Sequence, residues 1–478
     1  MKLNASIISL REGRPWMTNV TLCLFGLGLV LLAHQFVSEA HHFTIGFSGC
    51  SGWSAILYIA SIIIIYTQPT DRSTFWIVIG FAIAFRAMTL PADPFSSSDI
   101  YRYVWDGIVQ HAYISPYRYV PGDPSLSFLR APNQHIFDNI NRRDYARTIY
   151  PPVAQMIYWL VTLFSPTVLA MKVAMFGFEC VTGLALVRLL RLLGRPRVHI
   201  LLYAWCPLLV WEIGGAGHVD AAIFAFVTLA ILFRYCEQPV LTGIFLGLAV
   251  MTKFYPLVLL PALYKRGDWK MPATLITVCA LAYLPYLSVG KLVFGFLLGY
   301  TKEEGIDTGA RFFLLEWVQS MSALEHLPVS AYLVFCAMAL GAISFWAWMQ
   351  ADGVISSSEY AHGGTTPAFL RSAMLLAFAL MLLFSPHYPW YIVWLIPIFT
   401  LVPNLPLLTY LIAFFYLFTT ALADPGPKMF LLNKILYSAT ALAFLLHLAY
   451  KRWPIFMLVT PIHNVQRISR SNLAKQLD

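Results

Sequence analysis

The chain has 478 residues, of which 59% are hydrophobic and only 12% charged, and its formal net charge is +9. With a mean hydropathy of +0.68, this composition excludes an ordinary soluble domain and a disordered chain, and it fits an all-α, polytopic membrane helical bundle. The positive balance does not point to nucleic acid. Basic residues cluster in short runs between apolar segments (Lys2, Arg11 and Arg14; Arg188, Arg191, Arg195 and Arg197; Lys265, Arg266 and Lys270; Lys451 and Arg452), as the positive-inside rule requires of cytoplasmic loops.

A bilayer core of about 30 Å takes roughly 20 apolar residues per crossing. Suitable runs lie at 17–36, 52–67, 73–90, 167–187, 198–213, 219–234, 271–290, 328–350, 370–385, 387–402, 405–422 and 430–449. Two further apolar segments, 151–165 and 239–264, are interrupted by proline, so the expected total is about 12–14 crossings. The alternating pattern of a transmembrane barrel is absent. Residues 1–450 read as one membrane domain and 451–478 as a cytoplasmic tail. The first run is too long for a signal-peptide core and reads as an uncleaved anchor. The seven cysteines are scattered without CxxC spacing, which indicates core residues and no metal site. No Walker loop or Rossmann glycine pattern is present.

With the N-terminus inside, three crossings place 91–150 outside as a loop of about 60 residues. It carries Arg102, Arg118, Arg130, Arg142, Arg143 and Arg147, residues suited to binding an anion such as a lipid phosphate. Keeping Arg188–Arg197 inside requires 151–165 to be re-entrant or interfacial. Residues 239–264 then form a broken hairpin with Met251–Pro256 at its external turn. Loop 291–327, with Lys302, Glu303, Glu304, Asp307, Arg311 and Glu316, and the rim Ser385–Tyr391 also lie outside.

Within the large loop, 96–111 reads as an interfacial helix with Ser96 as N-cap and Asp99 closing a capping box. Asp99, Arg102, Tyr103, Asp106 and Gln110 then share one polar stripe at helical spacing. Capping alone accounts for an isolated Asp99 but not for the whole stripe. Further along come Glu212, His218 and Asp220, within Trp211–Asp220, and Lys253 between two apolar half-helices. Ionisable residues at membrane depth are costly and suggest function. Their bland alternatives are a polar interhelical turn for the first three and snorkelling for Lys253. Tyr150 and Gln155, in the Pro-rich re-entry, line a cavity or belong to an aromatic belt.

The motifs DIYRYVWDG (99–107), SPYRY (115–119), TIYPPVAQ (148–155), WEIGGAGHVD (211–220) and LTGIFLGLAVMTKFYPLVLLP (241–261) together resemble the GT-C superfamily of integral-membrane glycosyltransferases. The resemblance is to bacterial polyprenyl-phosphate-mannose-dependent α-mannosyltransferases, over about residues 73–265. The C-terminal part resembles them only in style, through SPHYPWYIVWLIP. The resemblance implies a GT-C helical bundle with juxtamembrane helices in the first external loop. It also implies location in the bacterial cytoplasmic membrane with the site facing outside.

The implied activity is inverting sugar transfer from a polyprenyl-phosphate donor to a hydroxyl acceptor. No cofactor is expected, and a monophosphate donor, which needs less charge neutralisation than a pyrophosphate, argues against a required metal. It puts the catalytic base on Asp99. Arg102, His218 and Lys253 become candidates to hold the donor phosphate. Tyr101, Asp106, Tyr117, Tyr150, Gln155, Glu212 and Asp220 become candidates to contact sugar or acceptor. Two departures matter. Ser98 stands where many relatives have the first of an acidic pair, and Ser115-Pro116-Tyr117 stands where many have Asn-Pro-Tyr. A transporter or flippase of a lipid-linked or polar substrate is the alternative reading, although no inverted repeat is visible.

Overall fold

The structure is a computed structural model that describes residues 14–39, 45–350, 366–421 and 429–449. Lys2, Arg11, Lys451, Arg452 and the expected cytoplasmic tail 451–478 lie outside the described residues. Within them, the regular elements are helices: α1 (Pro15–Glu39), α2 (Ile45–Thr67), α3 (Arg72–Thr89), α4 (Asp99–His111), α5 (Pro152–Phe164), α6 (Val168–Leu192), α7 (Asp220–Tyr235), α8 (Pro239–Val250), α9 (Lys270–Tyr283), α10 (Val329–Gln350), α11 (Ala368–Phe384), α12 (Leu405–Ala421) and α13 (Met429–Ala449), joined by shorter helical turns.

Local sequence explains where many of these start and stop. Asp71 and Thr74 form a reciprocal capping box at the start of α3, and the Thr167 hydroxyl accepts the Ala170 N–H at the start of α6. Proline opens α5 and α8, where its missing N–H costs nothing. Helix α11 ends at Ser385 in the left-handed conformation, φ 45°.

Among the described residues, six helices are long and apolar enough to cross a membrane, and a seventh span arises if Arg197–Ala204 and Pro207–Gly215, bent by 53°, count as one. The other crossings expected from the sequence fall on shorter, broken or charge-bearing helices. At about 1.5 Å per residue, the 13 residues of α5 are well short of a perpendicular crossing. The segment 239–264 is broken, with α8 followed by a turn and the 3₁₀ stretch Tyr255–Leu259. Helix α10 buries only Tyr332, Cys336 and Ala347, so most of its apolar surface faces outward, as suits a lipid-facing helix.

Helix α7 is the opposite case and sits in the middle of the bundle. Ala221, Ala222, Ile223, Phe224, Val227 and Ile231 on it are all fully buried. Two buried cations, each inside an apolar run, tie the bundle to the segment carrying Asp99. Arg86 on α3 pairs with Glu179 on α6 at 2.8 Å. Lys172 on α6 donates to the carbonyls of Thr89 (3.0 Å) and Ala92 (2.6 Å), placing a cation against the C-terminal carbonyls of α3. The chain thus leaves α3 in a fixed direction toward α4.

Candidate active site

Helix α4 begins at Asp99, with Ser98 as N-cap and no side-chain capping bond. The expected capping box from Ser96 does not form. Ser96 Oγ instead donates to Glu212 Oε2 at 3.2 Å, and Ser97 Oγ accepts the Asp99 N–H at 3.1 Å. Ser96 is thus drawn onto Glu212, while Ser97 stays at the helix start. The half-buried Asp99 carboxylate receives other donors: Asn141 Nδ2 to Oδ1 at 3.0 Å and the Tyr150 hydroxyl to Oδ2 at 3.1 Å.

Nor does α4 lie on the surface. Residues 100–109 are all buried, because both of its faces carry aromatic rings that find partners. Tyr103 stacks on Tyr158 with centroids 4.6 Å apart, Trp105 meets Phe137 at 5.4 Å and Tyr101 meets His135 at 5.7 Å. Gly107 lets α4 settle directly onto α5. A Cβ there would lie 2.3 Å from Thr162 Oγ1 and 2.7 Å from the Tyr158 carbonyl oxygen.

A narrow, solvent-open cleft lies beside the Asp99 carboxylate. Arg102, Arg142, Arg147, Tyr150 and Tyr300 are among its lining residues. Arg102 is held from behind. Its Nε donates to Asp106 Oδ1 at 2.7 Å and its Nη1 to the Ala146 carbonyl at 3.0 Å. Gln155 Nε2 donates to the other Asp106 oxygen (2.9 Å) and to Thr148 Oγ1 (2.8 Å). Tyr117 donates to the Tyr150 carbonyl at 2.8 Å.

Asp106, Gln155 and Tyr117 are almost completely buried and already partnered, and none of them lines the cleft. Their hydrogen bonds hold Arg102 and Tyr150 in place from behind. Tyr101, buried against His135, is likewise not among the cleft-lining residues.

A second group adjoins the cleft through Tyr391. Lys253 Nζ lies 2.6 Å from Asp220 Oδ2, and the Tyr255 hydroxyl donates to Asp220 Oδ1 at 3.0 Å. Lys253 and Arg311 each sit 5.4 Å from the centroid of the Tyr391 ring. The Tyr391 hydroxyl touches that of Tyr300, a cleft residue, and lies within electrostatic range of both Asp99 and Asp220. Lys253 and Asp99 therefore belong to one end of the bundle.

His218 stacks on Trp390, next in sequence to Tyr391, with centroids 4.4 Å apart. Its Nε2 is 3.3 Å from Glu212 Oε2, yet neither ring nitrogen is aligned for a hydrogen bond. Glu212 sits in a π-helical turn, Val210–Gly215, an irregularity common near functional sites. Gly217 (φ +73°) lets this loop close onto α4 and α6. A Cβ there would lie 2.4 Å from Ile100 Cδ1 and 2.9 Å from Lys172 Cγ.

The structure thus gathers Asp99, Arg102 and Tyr150 at the cleft, sets Lys253 and Asp220 beside it, and holds His218 against Trp390 of the 388–391 rim with Glu212 next to it. It adds Asn141, Tyr300 and Tyr391, which the sequence did not single out. Asn141 and Tyr300 carried no sequence signal, whereas Tyr391 lay in a rim already marked as polar. Among the described residues, no group of three or more His, Cys, Asp or Glu is arranged to hold a metal ion.

Two family profiles match the chain. The one described as alpha-(1->6)-mannopyranosyltransferase, N-terminal domain, matches residues 4–265, more than half of the chain. The one described as glycosyltransferase family 87 matches residues 148–386. No curated protein and no solved structure gives a significant match. The first profile covers α4, the 212–220 loop and Lys253, and the second extends to the start of the 385–391 rim. The chain belongs to the alpha-(1→6)-mannopyranosyltransferase family and is a membrane-embedded glycosyltransferase of the GT-C type.

Proposed function

We propose that this enzyme transfers a mannosyl group, with inversion, from a polyprenyl-phosphate donor to a hydroxyl acceptor at the external face of the bacterial cytoplasmic membrane, and that Asp99 is the base. The observation that carries this reading is the Asp99 carboxylate itself. It stands at the edge of a cleft whose lining includes Arg102, Arg142 and Arg147. Its two oxygens are oriented by Asn141 and Tyr150.

In the reaction, Asp99 takes the proton of the acceptor hydroxyl as that oxygen attacks the anomeric carbon. The bond from that carbon to the phosphate oxygen breaks, and polyprenyl phosphate departs from the opposite side. A phosphate leaves without protonation if its charge is met, so one carboxylate suffices where glycoside hydrolysis needs two. Arginine suits that role through bidentate contact. Arg102 is the best-placed candidate, because Asp106 and the Ala146 carbonyl fix its guanidinium at the cleft wall. Lys253 and His218 support the donor side from the Tyr391–Trp390 rim. The prenyl chain runs along the outward apolar surface in the bilayer.

The test is incubation of purified protein with polyprenyl-phosphate mannose, glucose and arabinose and a pool of membrane acceptor lipids, read by mass. A hexose mass shift with the mannose donor supports the reading. A shift only with another donor moves it to a different sugar, and transport without any shift favours a flippase.

A further inference from the structure

Two arginines near the cleft are already paired with neighbouring glutamates on one short helical element. Arg142, which lines the cleft, donates from Nε to Glu303 Oε2 at 2.6 Å. Arg311 pairs with Glu304, and both side chains are nearly buried, at 8% and 6% exposure. Glu303 ends the helix Leu297–Glu303 and Glu304 is its C-cap. Tyr300, on the same helix, touches Tyr391 and lies 5.6 Å from the Arg142 guanidinium. The element is bounded by Gly295 and Gly305, with φ +54° and +66°, conformations that side chains beyond glycine rarely adopt. At Gly295 a Cβ would meet the Thr148 carbonyl oxygen at 1.7 Å.

A pair of carboxylates beside a cleft built to receive an anion is unfavourable for that anion unless the carboxylates have another task. Their task is visible in their contacts, since each holds one arginine. An arginine pairs with phosphate as readily as with carboxylate, and in the same bidentate manner. We propose that Glu303 and Glu304 are resident counter-anions, which keep Arg142 and Arg311 positioned between turnovers and yield them to the phosphate of the arriving donor.

Glu303 and Glu304 are then positioning and selectivity residues. A neutral sugar cannot displace them, whereas a phosphate-bearing one can. The arginines need not be ordered afresh in each cycle, and the departing phosphate is expelled when the carboxylates return. This inference rests on the donor class proposed above.

The test uses full-length protein in detergent and a short-chain isoprenyl phosphate as probe, titrated calorimetrically into wild type, Glu303→Gln, Glu304→Gln and Arg311→Gln. Freeing a half-exposed arginine from its carboxylate should tighten binding roughly 3–10-fold, with a steeper loss of affinity as salt rises. Arg311→Gln should weaken binding. Unchanged or weaker binding in Glu303→Gln overturns the proposal. That variant is decisive even if the more buried Glu304→Gln does not fold, because the Glu303 side chain is 30% exposed. Failure of wild type to bind any isoprenyl phosphate would instead overturn the donor class.

Discussion

Lys253 Nζ lies 2.6 Å from Asp220 Oδ2, and the Asp220 side chain is wholly buried. The two residues come from different helical segments, Asp220 from the first turn of α7 and Lys253 from the turn after α8. The Lys253 side chain keeps 16% exposure and faces Tyr391. Breaking one partner of such a pair leaves an uncompensated charge, whereas replacing both removes the problem. Asp220→Leu and Lys253→Met are each expected to destabilise the protein by about 3 kcal/mol, and the double variant by less than the sum. A thermodynamic cycle on unfolding of the purified protein reads the coupling. Strict additivity would show that the pair does not interact.

Arg102 depends on Asp106 for its position. Asp106→Asn keeps the volume but removes the charge that holds the Arg102 Nε. If the guanidinium drifts by about 1 Å, a loss on the order of 10²-fold in kcat/KM follows. Steady-state kinetics with varied donor concentration check this. A variant with normal kcat/KM would mean that Arg102 needs no such support.

The Tyr150 hydroxyl orients one oxygen of Asp99 at 3.1 Å. Removing it in Tyr150→Phe should cost roughly 10-fold in kcat, the scale of one hydrogen bond to a charged group. The fold should be unaffected, since the ring remains packed on Tyr103 and Tyr158. Unchanged turnover would separate Tyr150 from catalysis.

Gly217 is strained for any other residue in two ways: its φ is +73°, and a Cβ there would lie 2.4 Å from Ile100 Cδ1. Gly217→Ala should lower stability by about 1–3 kcal/mol and displace α4 at its first turn. Adding Ile100→Ala relieves the collision but not the backbone strain, so partial recovery of thermal stability is expected. Full recovery, or no effect of Gly217→Ala alone, would contradict the packing of the 212–218 loop on α4.

Much of this was legible in the residues. The stripe from Asp99 to Gln110 announced itself by helical spacing, and Asp106, Gln155 and Arg102 do meet. The stripe faces protein rather than water because Tyr101, Tyr103 and Trp105 demand partners as well, and amphipathic spacing does not say what covers the polar face. The Ser96 capping box looked sound locally and lost to Glu212, a residue 116 positions away. Asn141, Tyr300 and Tyr391 matter only through long-range apposition. Lys172 and Arg86 sat within apolar runs where each looked like an interruption, and their carbonyl and carboxylate partners became apparent only with the chain folded.

Asp99 carries the proposed reaction. The decisive measurement is mannosyl transfer from radiolabelled polyprenyl-phosphate mannose by membranes containing Asp99→Asn at wild-type abundance. The asparagine preserves the side chain's size and can still accept from Asn141 or Tyr150. Turnover is predicted to fall by about 10²–10⁴-fold, the range for loss of a general base, while donor KM stays near wild type. Turnover close to wild type would contradict the assignment of Asp99 as the base.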